Sequence, residues 1–248
     1  MCRLLGIVPE RSVRLVTYLP PGLTLPRERV AGWGAAVHEP DGSWTSVEAE
    51  DSEGAARPFF FVDRAPKGDL LIAAARRRTR SGTDAQPLRS GRWVFAQDGI
   101  VEDPAFLRSR TSAERLRACK GEGGSEDLFA FLLTRLDEGG SPSRDRIDSV
   151  IMAAIAELGA RPLGALTFLL SDGDAIYGYR FGRPLHLLTR RACDGVAAAT
   201  LLASDPINSD LWTALDDGTL LRCRRGTPPR ILAGPHARAS DVELPFTD

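Results

Sequence analysis

Apolar residues along this chain gather in short, strand-length runs at both ends and take on helical periodicity only in the middle. Residues 4–8 (LLGIV) form an apolar run closed by Pro9, which reads as a strand. Residues 12–19 read as a second strand or a short helix before Pro20-Pro21-Gly22. Residues 32–40 and 43–47, joined at Asp41-Gly42, read as a hairpin, because aromatic and β-branched residues flank an Asp-Gly turn. Residues 48–56 turn acidic and small, the composition of a solvated loop. The run 69–75 (DLLIAAA) fits a strand buried on both faces. Residues 93–96 predict a further strand, ending in a turn with Asp98-Gly99 at its tip.

Two segments follow a different period. Residues 126–136 read as a helix with Ser125 as N-cap and Glu126 and Asp127 in its first turn. Ile147, Val150, Ile151, Ala154, Ile155 and Leu158 recur every three or four residues and stop at Gly159 and Pro162, so this helix has one apolar face to lay on a sheet. Strands return at 165–170, 175–180, 185–189, 195–204 and 219–224, with turns at 171–174 and 216–218. Strands, two helices, then strands at hairpin-like spacing predict an α+β layering of antiparallel sheets. With no internal repeat and no linker, residues 1–248 are expected to form one domain.

Composition narrows the function. The chain has 248 residues, 43% of them hydrophobic, enough for a substantial core. Lys plus Arg (32) nearly cancels Asp plus Glu (33), so no global field draws the chain to nucleic acid or to an anionic membrane. Arg76, Arg77, Arg78 and Arg80 are crowded together, but no aromatic residues interleave them, and the run reads as a solvated loop. A single arginine presented from a strand end would suit a bidentate grip on a carboxylate. Cys2, Cys119, Cys193 and Cys223 form no C-x-x-C pair, and His38, His186 and His236 have no ligand-like spacing. Neither a metal, a cofactor nor a disulfide framework is expected. The first apolar run breaks at Pro9-Glu10-Arg11 and no run nears 18 residues, which predicts no membrane segment and a reducing, cytoplasmic setting. The glycine-rich residues 121–124 lack a Walker lysine and precede Glu126 and Asp127, which would repel an anion, so they form no phosphate loop.

The chemistry-bearing candidate is Cys2. With Met1 removed, it carries a thiol (pKa ~8.5) and a free α-amine (pKa ~7.7–8.0) on one carbon, so the amine can take the thiol's proton near neutral pH. It could equally be the first buried residue of an edge strand. Gly99, at a strand end, could aim its N–H at a developing oxyanion or simply complete a turn.

The order of motifs carries a resemblance. Met1-Cys2-Arg3-Leu4-Leu5-Gly6, Gly32-Trp33-Gly34, the arginine stretch with Thr79, Trp93 to Gly99, Ser125-Glu126 opening a helix, and Ala203-Ser204-Asp205-Pro206 with Trp212 follow one another as in class II glutamine amidotransferases. Within that family the chain resembles the stand-alone group that includes the ergothioneine-pathway amidohydrolase. The resemblance implies a four-layer α/β/β/α N-terminal nucleophile hydrolase sandwich with two antiparallel sheets. It implies attack by Cys2 on a glutamine or γ-glutamyl amide through a thioester. By the same resemblance Cys2 is the nucleophile, its α-amine the base, Arg76 the grip on the substrate α-carboxylate with Thr79 and Ser125 nearby, and Gly99 the backbone half of the oxyanion hole.

The departures are equally specific. The family's His-Asn-Gly is here Gln97-Asp98-Gly99, and an ionised Asp98 cannot donate the hydrogen bond an Asn gives an oxyanion. The family's Asn-x-His-Pro-Phe is Asp84-Ala85-Gln86-Pro87-Leu88, and its histidine two residues before the arginine is Ala74. The Asp that would grip a substrate ammonium is Gly124, leaving Glu122 or Asp127 to take its place, or a ligand that is not a free α-amino acid. Ammonia would pass to a separate enzyme, or the reaction is simple hydrolysis. A catalytically degenerate relative that binds a ligand or protein partner is the alternative.

Overall fold

A computed structural model of the chain describes residues 4–20, 30–50, 67–79, 82–83, 86–119, 123–139, 143–193 and 195–235, with the backbone alone at 30–33, 47–50, 75–79 and 82–83. The described strands are β1 (Leu4–Pro9), β2 (Val30–His38), β3 (Trp44–Glu50), β4 (Leu70–Thr79), β5 (Gly82–Thr83), β6 (Leu88–Ser90) and β7 (Trp93–Asp98), then β8 (Thr167–Ser171), β9 (Ala175–Tyr179), β10 (His186–Arg190), β11 (Ala199–Ala203), β12 (Thr213–Ala214), β13 (Leu220–Arg224) and β14 (Arg230–Ala233). Between the two strand groups lie α1 (Pro104–Ser109), α2 (Ala113–Ala118), α3 (Gly124–Glu138) and α4 (Arg144–Gly159).

The strands form two antiparallel sheets. The first has the order β12-β10-β11-β1-β4-β2-β3, with β5 beside β4; the second has the order β14-β13-β9-β8-β7-β6. Strand alternation then divides the core into layers. Leu4 and Val8 of β1, Leu70, Ile72 and Ala74 of β4, and Leu202 of β11 pack against Val94 and Ala96 of β7 and Leu169 and Ile176 of the second sheet. Leu5, Ile7, Leu71 and Ala73 point the other way, under a 3-10 turn (Leu15–Tyr18) and Ile207. Every residue from Leu70 to Ala74 is at most 1% exposed, so the two-sided burial expected of this run is met. On the far side of the second sheet, Phe95, Phe168 and Tyr177 meet Phe131, Ile151, Ile155 and Leu158 of α3 and α4. The α+β sandwich of antiparallel sheets is therefore present as the sequence predicts.

Several boundaries differ. Of the two readings of 12–19, strand or short helix, the second holds, as the 3-10 turn. β3 runs on to Glu50 where a loop is expected from residue 48. β4 continues through the arginines to Thr79: Arg76 pairs with Gly32 of β2, and Thr79 with Gly82 of β5. A strand does not end at its last apolar residue when neighbouring strands still supply hydrogen-bond partners. The turn expected at Asp98 is also displaced. Asp98 is the last ladder residue of β7, paired with Thr167 of β8 and only 4% exposed. Helices α1 and α2 have no counterpart in the periodicity, being too short for it. Their signals are caps: the Asp103 carboxylate accepts from the Phe106 N–H ahead of Pro104, and the Ser112 hydroxyl accepts from the Arg115 N–H.

Candidate active site

β1 is the middle strand of the first sheet, with β11 on one side and β4 on the other. At its start Leu4 lies opposite Ala74, and Leu5 opposite Ala203. The Leu4 N–H donates to the Ser204 hydroxyl at 3.1 Å, and the Ser204 N–H donates to the Leu4 carbonyl at 3.1 Å. The chain is thus fastened two residues after Cys2. Cys2 itself lies outside the described residues. Arg76 lies two positions beyond Ala74 on β4, at the same end of the sheet as Leu4. Its side chain and that of Thr79 lie outside the described residues.

The facing strand of the second sheet brings Asp98 and Gly99 to this layer. Val94 and Ala96 face the first sheet, and alternation puts Asp98 on the same face. After Asp98 the chain is clamped to the segment before β8. The Ala165 N–H donates to the Ile100 carbonyl at 3.1 Å, and the Glu102 N–H donates to the Leu163 carbonyl at 3.0 Å. Gly99 lies so close to this segment that a Cβ there would stand 1.9 Å from the Ala165 carbonyl oxygen. Only glycine fits, because the obstructing atom is backbone and cannot swing aside.

Two glutamine side chains brace the same corner. Gln97 is on the helix-facing side of β7 and its Nε2 donates to the Ala165 carbonyl at 3.3 Å. Its own backbone N–H donates to Gln86 Oε1 at 2.6 Å, and Gln86 Nε2 donates to the Ser125 hydroxyl at 3.2 Å. Gln86 is also pressed on its other side: a Cβ on Gly34 of β2 would stand 2.0 Å from the Gln86 carbonyl oxygen. Gln86 therefore joins β7 and the start of α3 through its buried side chain, and lies against β2 through its backbone. The sequence hints at this only through Gln86 preceding Pro87, since its partners lie 11 and 39 residues away.

The start of α3 departs from expectation. Gly123, not Ser125, is its N-cap, and no side chain caps it. Ser125 is instead the acceptor for Gln86. Gly124 is packed tightly, with a Cβ there standing 2.6 Å from the Val101 Cβ. An aspartate cannot occupy this position without pushing Val101 out of place. Asp127, 1% exposed, accepts from Arg108 Nε at 2.8 Å through one carboxylate oxygen across the α1–α3 contact, and its other oxygen is buried without a hydrogen-bond partner among the described residues. Glu122 lies outside the described residues. Of the other cysteines, Cys223 is fully buried and burial pushes its thiol far above the usual range. Cys119 is half-buried and is also pushed up, first by burial and then by the Glu126 and Asp127 charges. Cys193 is exposed.

Solved structures share this fold of two antiparallel sheets. The chain is similar to a predicted glutamine amidotransferase from Pseudomonas aeruginosa (20% identity, TM-score 0.64, covering 94% of this chain and 100% of that one). It is similar to a glutamine aminotransferase class-II domain protein from Silicibacter pomeroyi (19%, 0.58, 89% and 94%). It also matches the glutamine phosphoribosylpyrophosphate amidotransferase of B. subtilis (18%, 0.63), covering 94% of this chain and 49% of that longer one. No curated protein sequence matches it. The family model for class-II glutamine amidotransferases matches residues 1–198, and the chain belongs to that family.

Proposed function

We propose that this chain is an amidohydrolase that cleaves a glutamine or γ-glutamyl amide through a thioester on Cys2. With Met1 removed, the α-amine of Cys2 takes the thiol proton as sulfur attacks the amide carbonyl, and passes it to the departing ammonia or amine. The Gly99 N–H stabilises the oxyanion. Water then hydrolyses the thioester, releasing the acid and restoring the thiol. Arg76 holds the substrate carboxylate as a bidentate partner, with Thr79 and Ser125 in supporting positions. The ammonia goes to a separate enzyme or is simply released, in one domain spanning residues 1–248 of a cytoplasmic protein. No helix among the described residues is long and apolar enough to cross a membrane.

The observation that supports this most is the fit at Gly99, where family membership and geometry ask for the same residue. A Cβ would stand 1.9 Å from a backbone oxygen at the residue to which the resemblance assigns the oxyanion role. A second reading, a relative that binds its ligand without turnover, is favoured by Asp98. This carboxylate is 4% exposed and stands where the family has an oxyanion-donating Asn.

Intact mass and ammonia release test the first reading. Loss of Met1, together with ammonia or amine release that disappears in Cys2→Ala, is the expected result. A retained Met1 removes the proposed base and overturns the mechanism. A trimmed N-terminus with no release from glutamine or γ-glutamyl amides favours the binding-only reading.

A further inference from the structure

We infer that Gln86 and Gln97 form a two-amide brace that positions the Gly99 N–H, making both of them positioning residues; the kinetic part of this inference rests on the amidohydrolase reading above. The backbone explains why a brace is needed. β6 and β7 pair Leu88 with Phe95, Arg89 with Val94 and Ser90 with Trp93. Continued by two residues, this register would set Gln86 opposite Gln97. β6 begins only at Leu88, and the Gln86 carbonyl that such a ladder would offer the Gln97 N–H lies against Gly34 of β2 instead. The Gln97 N–H thus reaches the end of the strand without a strand partner, and the Gln86 side chain takes that partner's place at 2.6 Å.

The identity of the atoms follows from valence. A backbone N–H can only donate, so the Gln86 atom beside Gln97 is the oxygen and the atom beside Ser125 is the amide nitrogen, which donates to the hydroxyl at 3.2 Å. Gln86 is 4% exposed and Gln97 6% exposed, so both amides act in a dry setting where a lost partner is costly. Gln97 then extends the brace. Its Nε2 donates at 3.3 Å to the Ala165 carbonyl, the atom against which Gly99 is pressed. The start of α3, β7, the Ala165 segment and Gly99 are thereby connected through two side chains. An oxyanion donor acts by being in place before charge develops. A displacement of even an ångström at such a donor weakens the transition state more than the ground state, so the brace should govern kcat rather than KM.

The test uses Gln86→Met and Gln97→Met, which keep length and remove the amides, with Gln86→Glu retaining the oxygen that accepts from Gln97. Ser125→Ala, which removes only the outer arm, serves if a Met variant fails to fold. Two quantities are read on the full chain: kcat and KM for amide cleavage, and hydrogen exchange of the Gln97 amide by NMR. The expected result is a kcat lowered about 10- to 100-fold with KM little changed. Exchange at Gln97 should be faster in Gln86→Met and recover in Gln86→Glu. Unchanged kcat, or a loss confined to KM, overturns the positioning role. If the wild-type protein releases nothing from any amide, the amidohydrolase reading fails by itself. The brace is then judged by exchange alone, and a Gln97 amide equally protected in Gln86→Met overturns it.

Discussion

Leu4 and Ser204, 200 residues apart, hold each other by two hydrogen bonds of 3.1 Å, one from each backbone N–H. The Leu4 N–H is buried at the edge of the β1–β11 ladder, where an unmade bond costs about 1–3 kcal/mol. Ser204→Ala removes the acceptor and should destabilise the protein by about 1–2 kcal/mol in urea unfolding with an unchanged m-value. If β1 presents the nucleophile, alkylation of Cys2 should slow in the same variant. A wild-type midpoint in Ser204→Ala would show that this contact contributes nothing.

Asp98→Asn tests the residue that most separates turnover from binding. Asn can donate where an ionised Asp cannot, and a lost side-chain oxyanion donor costs on the order of 10²–10³ in rate. Amide release should rise up to about 100-fold, mainly in kcat. No change would mean that position 98 does not meet the developing charge.

Gly99→Ala probes the corner sterically. The added methyl would stand 1.9 Å from the Ala165 carbonyl oxygen, so the loop must move. The expected cost is roughly 3 kcal/mol, at the upper end for overpacking. Activity should fall even in molecules that remain folded. A stable, fully active Gly99→Ala would place the oxyanion donor elsewhere.

Cysteine labelling separates the thiols. Cys119 and Cys223 are held as thiols by burial, while Cys193 is exposed. In a Cys193→Ser background, a glutamine-like electrophile should therefore add once per native chain, at Cys2. Labelling that persists in Cys2→Ala, Cys193→Ser would contradict this ordering.

Stability at acid pH should be sensitive to Asp174. Burial alone would raise its carboxyl, but the Arg144 and Arg224 charges and their hydrogen bonds outweigh burial and hold it below the usual range. A depressed folded pKa gives stability that is present above the unfolded value of ~3.9 and lost as pH falls through the lower folded value. The melting-temperature gap between wild type and Asp174→Asn should be constant at neutral pH and close as the pH drops below ~3.9. A gap that widens on acidification would reverse the assigned sign.

The layering was legible because it rests on local pattern. α4 declares itself through Ile147, Ile151, Ala154, Ile155 and Leu158, all buried, and β4 through five consecutive buried apolar residues. What local pattern missed depends on distant partners. Ser125 has the chemistry of an N-cap, yet the helix begins at Gly124 and the hydroxyl is used by Gln86 from the segment before β6. Asp148 sits on the apolar face of α4, where periodicity calls for a hydrophobe. It is compensated there by the Tyr177 hydroxyl, which donates to it at 2.7 Å, and by Arg222. Asp98-Gly99 reads as a turn tip by composition, and only the pairing of Asp98 with Thr167 draws it into the sheet. The candidate site was proposed from the order of the family's motifs, and of its residues the structure describes Asp98, Gly99 and Ser125 in full. Its bracing was not legible, since that is a property of contacts between segments.

The central position of β1 also has a consequence for biosynthesis. Its first neighbour, β4, leaves the ribosome early, but β11, which pairs Ala203 with Leu5, is made almost 200 residues later. At about 5–20 residues per second, β1 waits on the order of ten seconds or more for that partner. During this interval the sheet cannot close on the β11 side of β1. Sheet topology thus sets a window in which the trimming that the proposed mechanism requires can precede folding.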